Sequence, residues 1–134
     1  QQGLISFDYS YQDMSNAELR PASDAFFNSQ NQLISTSLKA VSTYRVGGEF
    51  KVKRLSLRGG YRFEESPYED GATVGDLTGY SLGLGYNFGA TRLDVGFNQT
   101  EREFNQALFD TGLTNAPLVR RNDTNVAVSL TFNL

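Results

Sequence analysis

The fold is decided by residues 43–64, which read TYRVGGEFKVKRLSLRGGYRFE. In the two runs 43–52 and 55–64, apolar side chains or glycine alternate with polar side chains or glycine. A period of two predicts β-strands that have one apolar and one polar face. Only Lys53 and Arg54 separate the runs, so we predict a hairpin closed by a tight turn.

The same alternation continues on both sides of this hairpin. It predicts six strands, over residues 3–13, 43–52, 55–64, 78–88, 91–101 and 122–134. The connections 53–54 and 89–90 are short, whereas 14–42, 65–77 and 102–121 are long and polar. Within the first long connection, residues 26–40 predict a short helix with Ser23 or Asp24 near its N-cap. The fold class is therefore all-β, as an antiparallel up-and-down sheet.

The length of the strands favours a membrane protein over a soluble sheet. Strands in soluble proteins average about 5–6 residues, whereas a tilted transmembrane strand needs about 9–11. Short turns on one side and long loops on the other are typical of outer-membrane barrels. Aromatic side chains near the strand ends of the apolar face fit interfacial girdles; they are Tyr11, Tyr44, Phe63, Tyr80, Phe88 and Phe132. We predict a transmembrane β-barrel in the bacterial outer membrane, with its apolar face in contact with the lipid bilayer.

The polar face of the predicted strands carries charges of both signs. Such charges can pair across neighbouring strands inside a wet barrel interior, and we predict a charge ladder there. Its members are Asp8, Arg45, Glu49, Arg58, Arg62, Glu64, Arg92 and Asp94. The alternative is a half-solvated antiparallel sheet in which the same charges point to water.

Composition excludes several function classes. The chain has 134 residues, with 12 Lys or Arg, 15 Asp or Glu and a formal net charge of −3. This acidic balance argues against a general nucleic-acid binder. Cys and His are both absent, which excludes disulfides, Cys/His zinc sites and His-based triads. The acidic stretch 64–76 lacks the ligand spacing of an EF-hand. We predict no enzyme activity, no catalytic residues, no metal site and no cofactor.

Six strands would leave two open edges, which the hydrocarbon region of a membrane does not tolerate. We therefore expect further strands to complete the barrel. They come either from an N-terminal part of the same polypeptide or from further copies of this chain. A first residue Gln1 rather than Met favours the first source.

Two segments resemble a known family of outer-membrane proteins. Residues 5–20, ISFDYSYQDMSNAELR, and 44–68, YRVGGEFKVKRLSLRGGYRFEESPY, resemble the C-terminal region of the FadL/TodX transporters of long-chain fatty acids and other hydrophobic compounds. The Bacteroidetes-type variant labelled "hemin receptor" is the most similar. The closing segment NVAVSLTFNL is similar to the terminal strand that outer-membrane proteins present to their insertion machinery, although it ends on Leu134 instead of an aromatic residue.

The resemblance implies a fourteen-stranded barrel with an N-terminal hatch, of which these would be the last six strands. It implies passive uptake of a hydrophobic small molecule. An apolar capture surface in the external loop 14–42 would then be formed by Phe26, Phe27, Leu33, Ile34 and Leu38. These side chains could instead pack onto the barrel rim. The alternative function is a small structural or adhesive barrel module, built from several copies, whose long loops bind a partner.

Overall fold

The computed structural model describes residues 2–105 and 117–132. Its elements in chain order are β1 Gln2–Asp13, α1 Ala25–Ser37, β2 Ala40–Val52, β3 Leu55–Glu64, β4 Val74–Asn87, β5 Thr91–Asn105 and β6 Leu118–Phe132. The strands lie side by side in sequence order, each antiparallel to the next. The predicted all-β, antiparallel, up-and-down arrangement of six strands is confirmed. Within the described ranges the sheet is not closed, because β1 and β6 each pair on one side only.

Both predicted tight turns close hairpins. Lys53 adopts a positive φ of 53° in the link between β2 and β3, as two-residue hairpin turns require. At the other turn, the backbone N–H of Phe88 donates to the carbonyl of Thr91 at 2.8 Å. Gly89 has φ of 107° there, and its N–H donates to the side-chain oxygen of Asn87 at 2.8 Å. Phe88 therefore belongs to the turn, and β4 ends one residue before its predicted end.

Several strands run further towards the long loops than the alternation predicts. β2 begins at Ala40, β4 at Val74 and β6 at Leu118, whereas β5 continues to Asn105. A register irregularity between Val74 and Leu77 interrupts the period of two in β4. The loop ends of β5 and β6 carry polar side chains on both faces, so hydrophobicity does not mark them. Residues 106–116 and 133–134, parts of the predicted last loop and last strand, lie outside the described residues.

The register aligns the alternation of all six strands, so that the sheet has two distinct faces. Cross-strand rows such as Phe7, Val46, Tyr61 and Tyr80 stay on one side from strand to strand. We call the side that carries them the apolar face. Its central members are Ile5, Phe7, Tyr9, Tyr44, Val46, Phe50, Leu57, Tyr61, Tyr80, Leu82, Leu84, Leu93, Val95, Phe97, Val126, Val128 and Leu130. The opposite side is the polar face.

In the central strand β4, exposure follows the two faces in the reverse sense to a soluble sheet. In β4 the apolar-face residues Leu82 and Leu84 are 61% and 51% exposed, whereas Gly79 on the polar face is buried. A Cβ added to Gly79 would lie 2.9 Å from the Cγ2 of Thr100, but one added to Gly59 on the apolar face would meet no atom closer than 4.0 Å. Side chains of neighbouring strands thus crowd the polar side at Gly60, Gly79 and Gly85, although Gly96 on the same side is open. From this closer approach we infer that the sheet curves towards its polar side, which is concave, and that the apolar side is convex.

Helix α1 lies at the loop end of the sheet and is tied to the β3–β4 connection. Asp24 is its N-cap, since its side chain accepts the backbone N–H of Phe26 at 2.8 Å. The helix ends at Ser37, before the predicted end at residue 40, because Leu38 forms a β-bridge with Tyr68 instead. Among the described residues, no helix is both long enough and apolar enough to cross a membrane.

The β3–β4 connection is organised around Ser66, which is 1% exposed. The Ser66 hydroxyl donates to the carbonyl of Val74, and its backbone N–H donates to Asp76 at 2.7 Å. The carbonyl of Pro67 accepts the N–H of Lys39 at 2.9 Å. These bonds join the end of α1 to the start of β4. We call the unit formed by residues 37–39 and 65–76 the rim cap.

The sheet forms one layer with little interior. The accessible surface is 9730 Å², against about 7000 Å² expected for a globular monomer of this mass. Val41 is the one apolar side chain in the described ranges that is buried. A soluble domain covers its apolar face with a second layer, and here that face stays open.

Candidate functional site

The concave polar face holds all eight residues of the predicted charge ladder. Asp8 lies on β1, Arg45 and Glu49 on β2, three members on β3 and two on β5, all with the parity of the polar face. The three on β3 are Arg58, Arg62 and Glu64, and the two on β5 are Arg92 and Asp94. They separate into two ion-pair groups, one near the hairpin turns and one nearer the long loops.

The turn-side group is a continuous chain of ion pairs between side chains of β2, β3 and β5. Nε of Arg58 donates to Glu49 at 3.0 Å, and its Nη1 donates to Asp94 at 2.8 Å. Asp94 also accepts from Nε of Arg92 at 2.7 Å, while Lys51 lies 3.4 Å from Glu49. The Arg58 side chain extends from β3 to β5, so it passes over β4.

Glycine makes that crossing possible. Gly83 is directly opposite Arg58 in register, and a Cβ at this position would lie 3.2 Å from the Cβ of Arg58. A Cβ at Gly85 would overlap the carboxylate of Asp94. The polar-face glycines Gly83 and Gly85 of β4 therefore leave room for charged side chains of neighbouring strands, which agrees with the role of strand glycines at close approaches.

The loop-side group contains an arginine that the sequence pattern missed. Arg45 donates to Asp8 at 2.7 Å, and Arg62 donates to Glu64 at 2.6 Å. The other carboxylate oxygen of Glu64 accepts from Arg102 at 2.6 Å. The sequence predicts that β5 ends at residue 101, because apolar alternation fades before Arg102. Its even-numbered position, in phase with Arg92 and Asp94, was the available signal.

Between the strands of the polar face lies a concavity of about 520 Å³. Arg45, Arg58 and Arg62 line it, together with the carboxylates of Asp8 and Glu49. Hydroxyl, amide and apolar side chains of neighbouring strands complete the lining. Glycines form much of its floor. The concavity thus combines cations, carboxylates and neutral hydrogen-bond donors.

The five apolar side chains predicted to form a capture surface on α1 divide between two sides. Phe27, Ile34 and Leu38 are half-buried, so their side is in part covered. Phe26 and Leu33 are 64% and 56% exposed and lie two helical turns apart on one stripe. An external apolar surface on α1 thus consists of these two residues, and no described contact assigns a ligand to it.

Aromatic rings cluster near both ends of the apolar face. On the loop side the ring centroids of Tyr9 and Tyr44 are 5.2 Å apart, and those of Tyr44 and Phe63 are 6.4 Å apart. At the turn side Tyr86 and Phe88 form an edge contact at 4.7 Å. Aliphatic side chains and further rings lie between these two clusters; among the rings, the centroids of Tyr80 and Phe97 are 5.9 Å apart.

The apolar face becomes polar beyond its loop-side aromatic residues. Tyr80 donates its hydroxyl to Gln99, which follows Phe97 on the same face of β5. Further along, Arg120 of β6 donates from Nε to Glu103 of β5 at 2.8 Å. The apolar side chains of this face therefore form a band that ends, on the side of the long loops, at a row of polar side chains.

Acidic side chains of the β3–β4 connection serve its turns. Asp70 accepts the hydroxyl of Thr73 at 2.7 Å and the backbone N–H groups of Thr73 and Ala72. These hydrogen bonds, of which that from the Thr73 hydroxyl contributes most, hold the pKa of Asp70 below its usual range. In the described part of the chain, no three acidic side chains come close enough together to hold a metal ion.

We compared the chain with known proteins in three ways. A scan against protein-family models finds no match, and searches of the curated proteins and of the solved structures find none either.

Proposed function

We propose that this chain is a six-stranded part of a bacterial outer-membrane β-barrel that takes up hydrophobic small molecules passively. The observation that carries the membrane assignment is the reversed exposure of the sheet. Apolar side chains such as Leu82 and Leu84 lie on the convex, open side, while charged side chains crowd the concave side. A barrel wall needs this arrangement, since lipid contacts its outside and water fills its interior.

The dimensions of the apolar band support the same proposal. From Tyr44 to Val52, β2 carries its apolar side chains over about 27 Å of strand. At a tilt of about 40° this corresponds to about 21 Å across the bilayer, near the apolar band of about 25 Å in known barrels. Tyr and Phe at both ends of the band match the interfacial preference of aromatic side chains.

The proposed barrel is completed by other strands at the open edges of β1 and β6. In the FadL/TodX family that the sequence resembles, fourteen strands and a hatch form the complete protein. The missing strands would then precede β1 in the same polypeptide, and further copies of this chain are the second possible source. The substrate class, long-chain fatty acids or similar hydrophobic compounds, rests on that resemblance. Phe26 and Leu33 would take part in capture at the external rim.

The sidedness is tested with single-tryptophan variants, because the chain contains no Trp. Leu82 and Asn98 lie at similar heights on opposite faces of β4 and β5. We expect brominated phosphatidylcholine to quench the tryptophan of Leu82→Trp strongly in vesicles, and aqueous iodide to quench that of Asn98→Trp. Equal quenching of the two variants by each agent would contradict a barrel wall.

The substrate class is tested by binding of a fluorescent long-chain fatty acid to the full chain in vesicles. We expect the double variant Phe26→Ser and Leu33→Ser to bind at least several-fold more weakly, while the matched control Ser29→Thr on the same helix binds normally. If the quenching test succeeds and the wild-type chain binds no fatty acid, uptake is contradicted, and the structural or adhesive module becomes the better interpretation.

A further inference from the structure

Two arginines face each other across the β2–β3 hairpin. Arg45 and Arg62 are direct cross-strand partners on the polar face. Like charges at directly opposed positions destabilise a sheet. Each arginine has one carboxylate to offset this repulsion, Asp8 for Arg45 and Glu64 for Arg62. The pairing therefore has a cost that the described ion pairs only partly offset.

Cationic donors outnumber carboxylates in this group. Glu64 is shared between Arg62 and Arg102, so Asp8 and Glu64 balance three arginines. A guanidinium has five N–H donors, and Arg62 uses its Nη2 for Glu64. The Nε of Arg62, like that of Arg102, is shielded from solvent and has no acceptor within the described residues, so it is not open to a ligand. The N–H groups on Nη1 of Arg62 make no hydrogen bond with a described residue, and they are the donors that a further acceptor would use.

Space for such an acceptor lies beside the arginines. The concavity of about 520 Å³ borders both Arg45 and Arg62. Gly79, next to Arg62 in register, leaves its part of the floor without a side chain. Ser81, Asn98 and Thr100 of the adjoining strands also line it. Three guanidinium groups, the carboxylates of Asp8 and Glu49 that pair with two of them, and several neutral donors thus surround one recess, and its cations outnumber its anions.

We propose that this recess binds a small oxyanion, a carboxylate or phosphate group, between Arg45 and Arg62. An oxyanion accepts two parallel N–H bonds from a guanidinium, and such charge-assisted bonds are about twice as strong as neutral ones. Its charge also removes the repulsion between the two arginines. The group is either a free small anion or the charged end of an amphiphile. The amphiphile case alone rests on the proposed function, because it requires the polar face to line a transport path.

The test uses the full chain in nonionic detergent micelles, with NMR of the arginine Nε–Hε groups as the readout. Three probes separate charge from hydrophobicity: sodium octanoate, sodium acetate and neutral octanol. We expect octanoate or acetate to shift the Arg45 and Arg62 signals saturably, and octanol to leave them unchanged. A tighter response to octanoate than to acetate identifies an amphiphile, and equal responses identify a free oxyanion. Shifts caused equally by octanol, or no saturable shift with either anion, would overturn the site.

Three variants make the result specific. Arg62→Gln is expected to raise the half-saturating anion concentration at least tenfold. Asp8→Asn removes the carboxylate that competes for Arg45, so it should lower that concentration several-fold, an effect that misfolding cannot produce. The matched control is Arg121→Gln on the polar face of β6, where Arg121 pairs with Asp123 outside the recess; binding should change less than twofold. Unchanged binding in both Arg62→Gln and Asp8→Asn contradicts the site.

The two proposals fail independently. If the anions shift the arginine signals but the tryptophans at positions 82 and 98 are quenched equally, the oxyanion site is supported and the membrane-spanning wall is contradicted. If the two tryptophans are quenched as expected but the anions leave the arginine signals unchanged, the oxyanion site alone is contradicted.

Discussion

Val128 and Ser129 are neighbours in β6 whose side chains lie on opposite faces of the sheet. Val128 pairs with Val95 on the apolar face, and Ser129 pairs with Asp94 on the polar face. We expect Val128→Lys to weaken insertion into phosphatidylcholine vesicles by about 2–4 kcal/mol, as charges near the bilayer midplane do. Ser129→Lys should cost far less because the new ammonium faces the carboxylate of Asp94. The fraction of folded chain in vesicles as a function of urea concentration measures both, and equal losses would contradict the assignment of faces.

Glycine positions provide a second comparison at the residue scale. Gly79→Ala would place a methyl group against Thr100 and within 3.3 Å of the Gln99 carbonyl. Overpacking of this kind costs about 1–3 kcal/mol. A Cβ at position 59 meets only Leu82 and the Ser81 carbonyl, both at 4.0 Å, which is an ordinary van der Waals contact, so the effect of Gly59→Ala should stay within about 0.5 kcal/mol. Urea unfolding of both variants measures the difference, and a greater loss for Gly59→Ala would refute the concavity of the polar face.

The sequence predicts which residues share a face but not how their side chains meet. The alternation of side chains between the two faces is a property of the extended backbone. The face on which Asp8, Arg45 and Asp94 lie therefore follows from their positions in the sequence. The bonds of Arg58 to Glu49 and Asp94 depend on the register of the strands and on the absence of a side chain at Gly83, because the Arg58 side chain occupies that space. Neither follows from alternation, because one strand's sequence does not state its neighbour's register.

At the element scale, the rim cap joins the end of α1 to the start of β4. Its turn at residues 70–73 depends on the ionised carboxylate of Asp70, whose pKa is lowered by the hydrogen bonds it accepts. A lowered pKa stabilises the turn above the ordinary pKa of an aspartate, and this stabilisation is lost as pH falls through the lowered value.

We expect the protection factors of the Ala72 and Thr73 amides, which compare exchange with the intrinsic rate at the same pH, to fall as the solution is acidified below about pH 4. Asp70→Asn should show faster exchange already at neutral pH. Glu69→Gln is the control, since the Glu69 carboxylate accepts no hydrogen bond from any described residue, and its exchange should match the wild type. Protection that is independent of pH in the wild type would contradict a role for the Asp70 carboxylate.

Element boundaries show where sequence patterns lose information. β3 occupies the predicted residues 55–64, because alternation is unbroken and a turn or loop follows at each end. β4 begins earlier than predicted, since the irregularity between Val74 and Leu77 shifts its phase. Both Ser23 and Asp24 fit the N-cap of α1 by sequence, because the two residue types have similar capping chemistry. Only the coordinates of the N–H groups that are capped distinguish them.

At the scale of the whole molecule, the open edges of β1 and β6 dominate the expected behaviour. Unpaired backbone groups in a hydrocarbon environment cost several kcal/mol each. We expect the isolated chain to associate in nonionic micelles, with a protein mass in sedimentation equilibrium of at least twice 14.9 kDa. A single-chain mass, combined with rapid amide exchange throughout β1 and β6, would contradict edge pairing.

Every strand pairs with its neighbour in sequence, and the β2–β3 hairpin needs only the two residues between Val52 and Leu55 to close. Paired strands in the sheet are therefore neighbours in the sequence. This gives a comparatively low contact order for a β protein, which favours fast folding. The β2–β3 hairpin, with the smallest loop-closure entropy, is the expected nucleus. β4 and β5 would then add in chain order on one side, while β1 must await closure of the longer segment that contains α1.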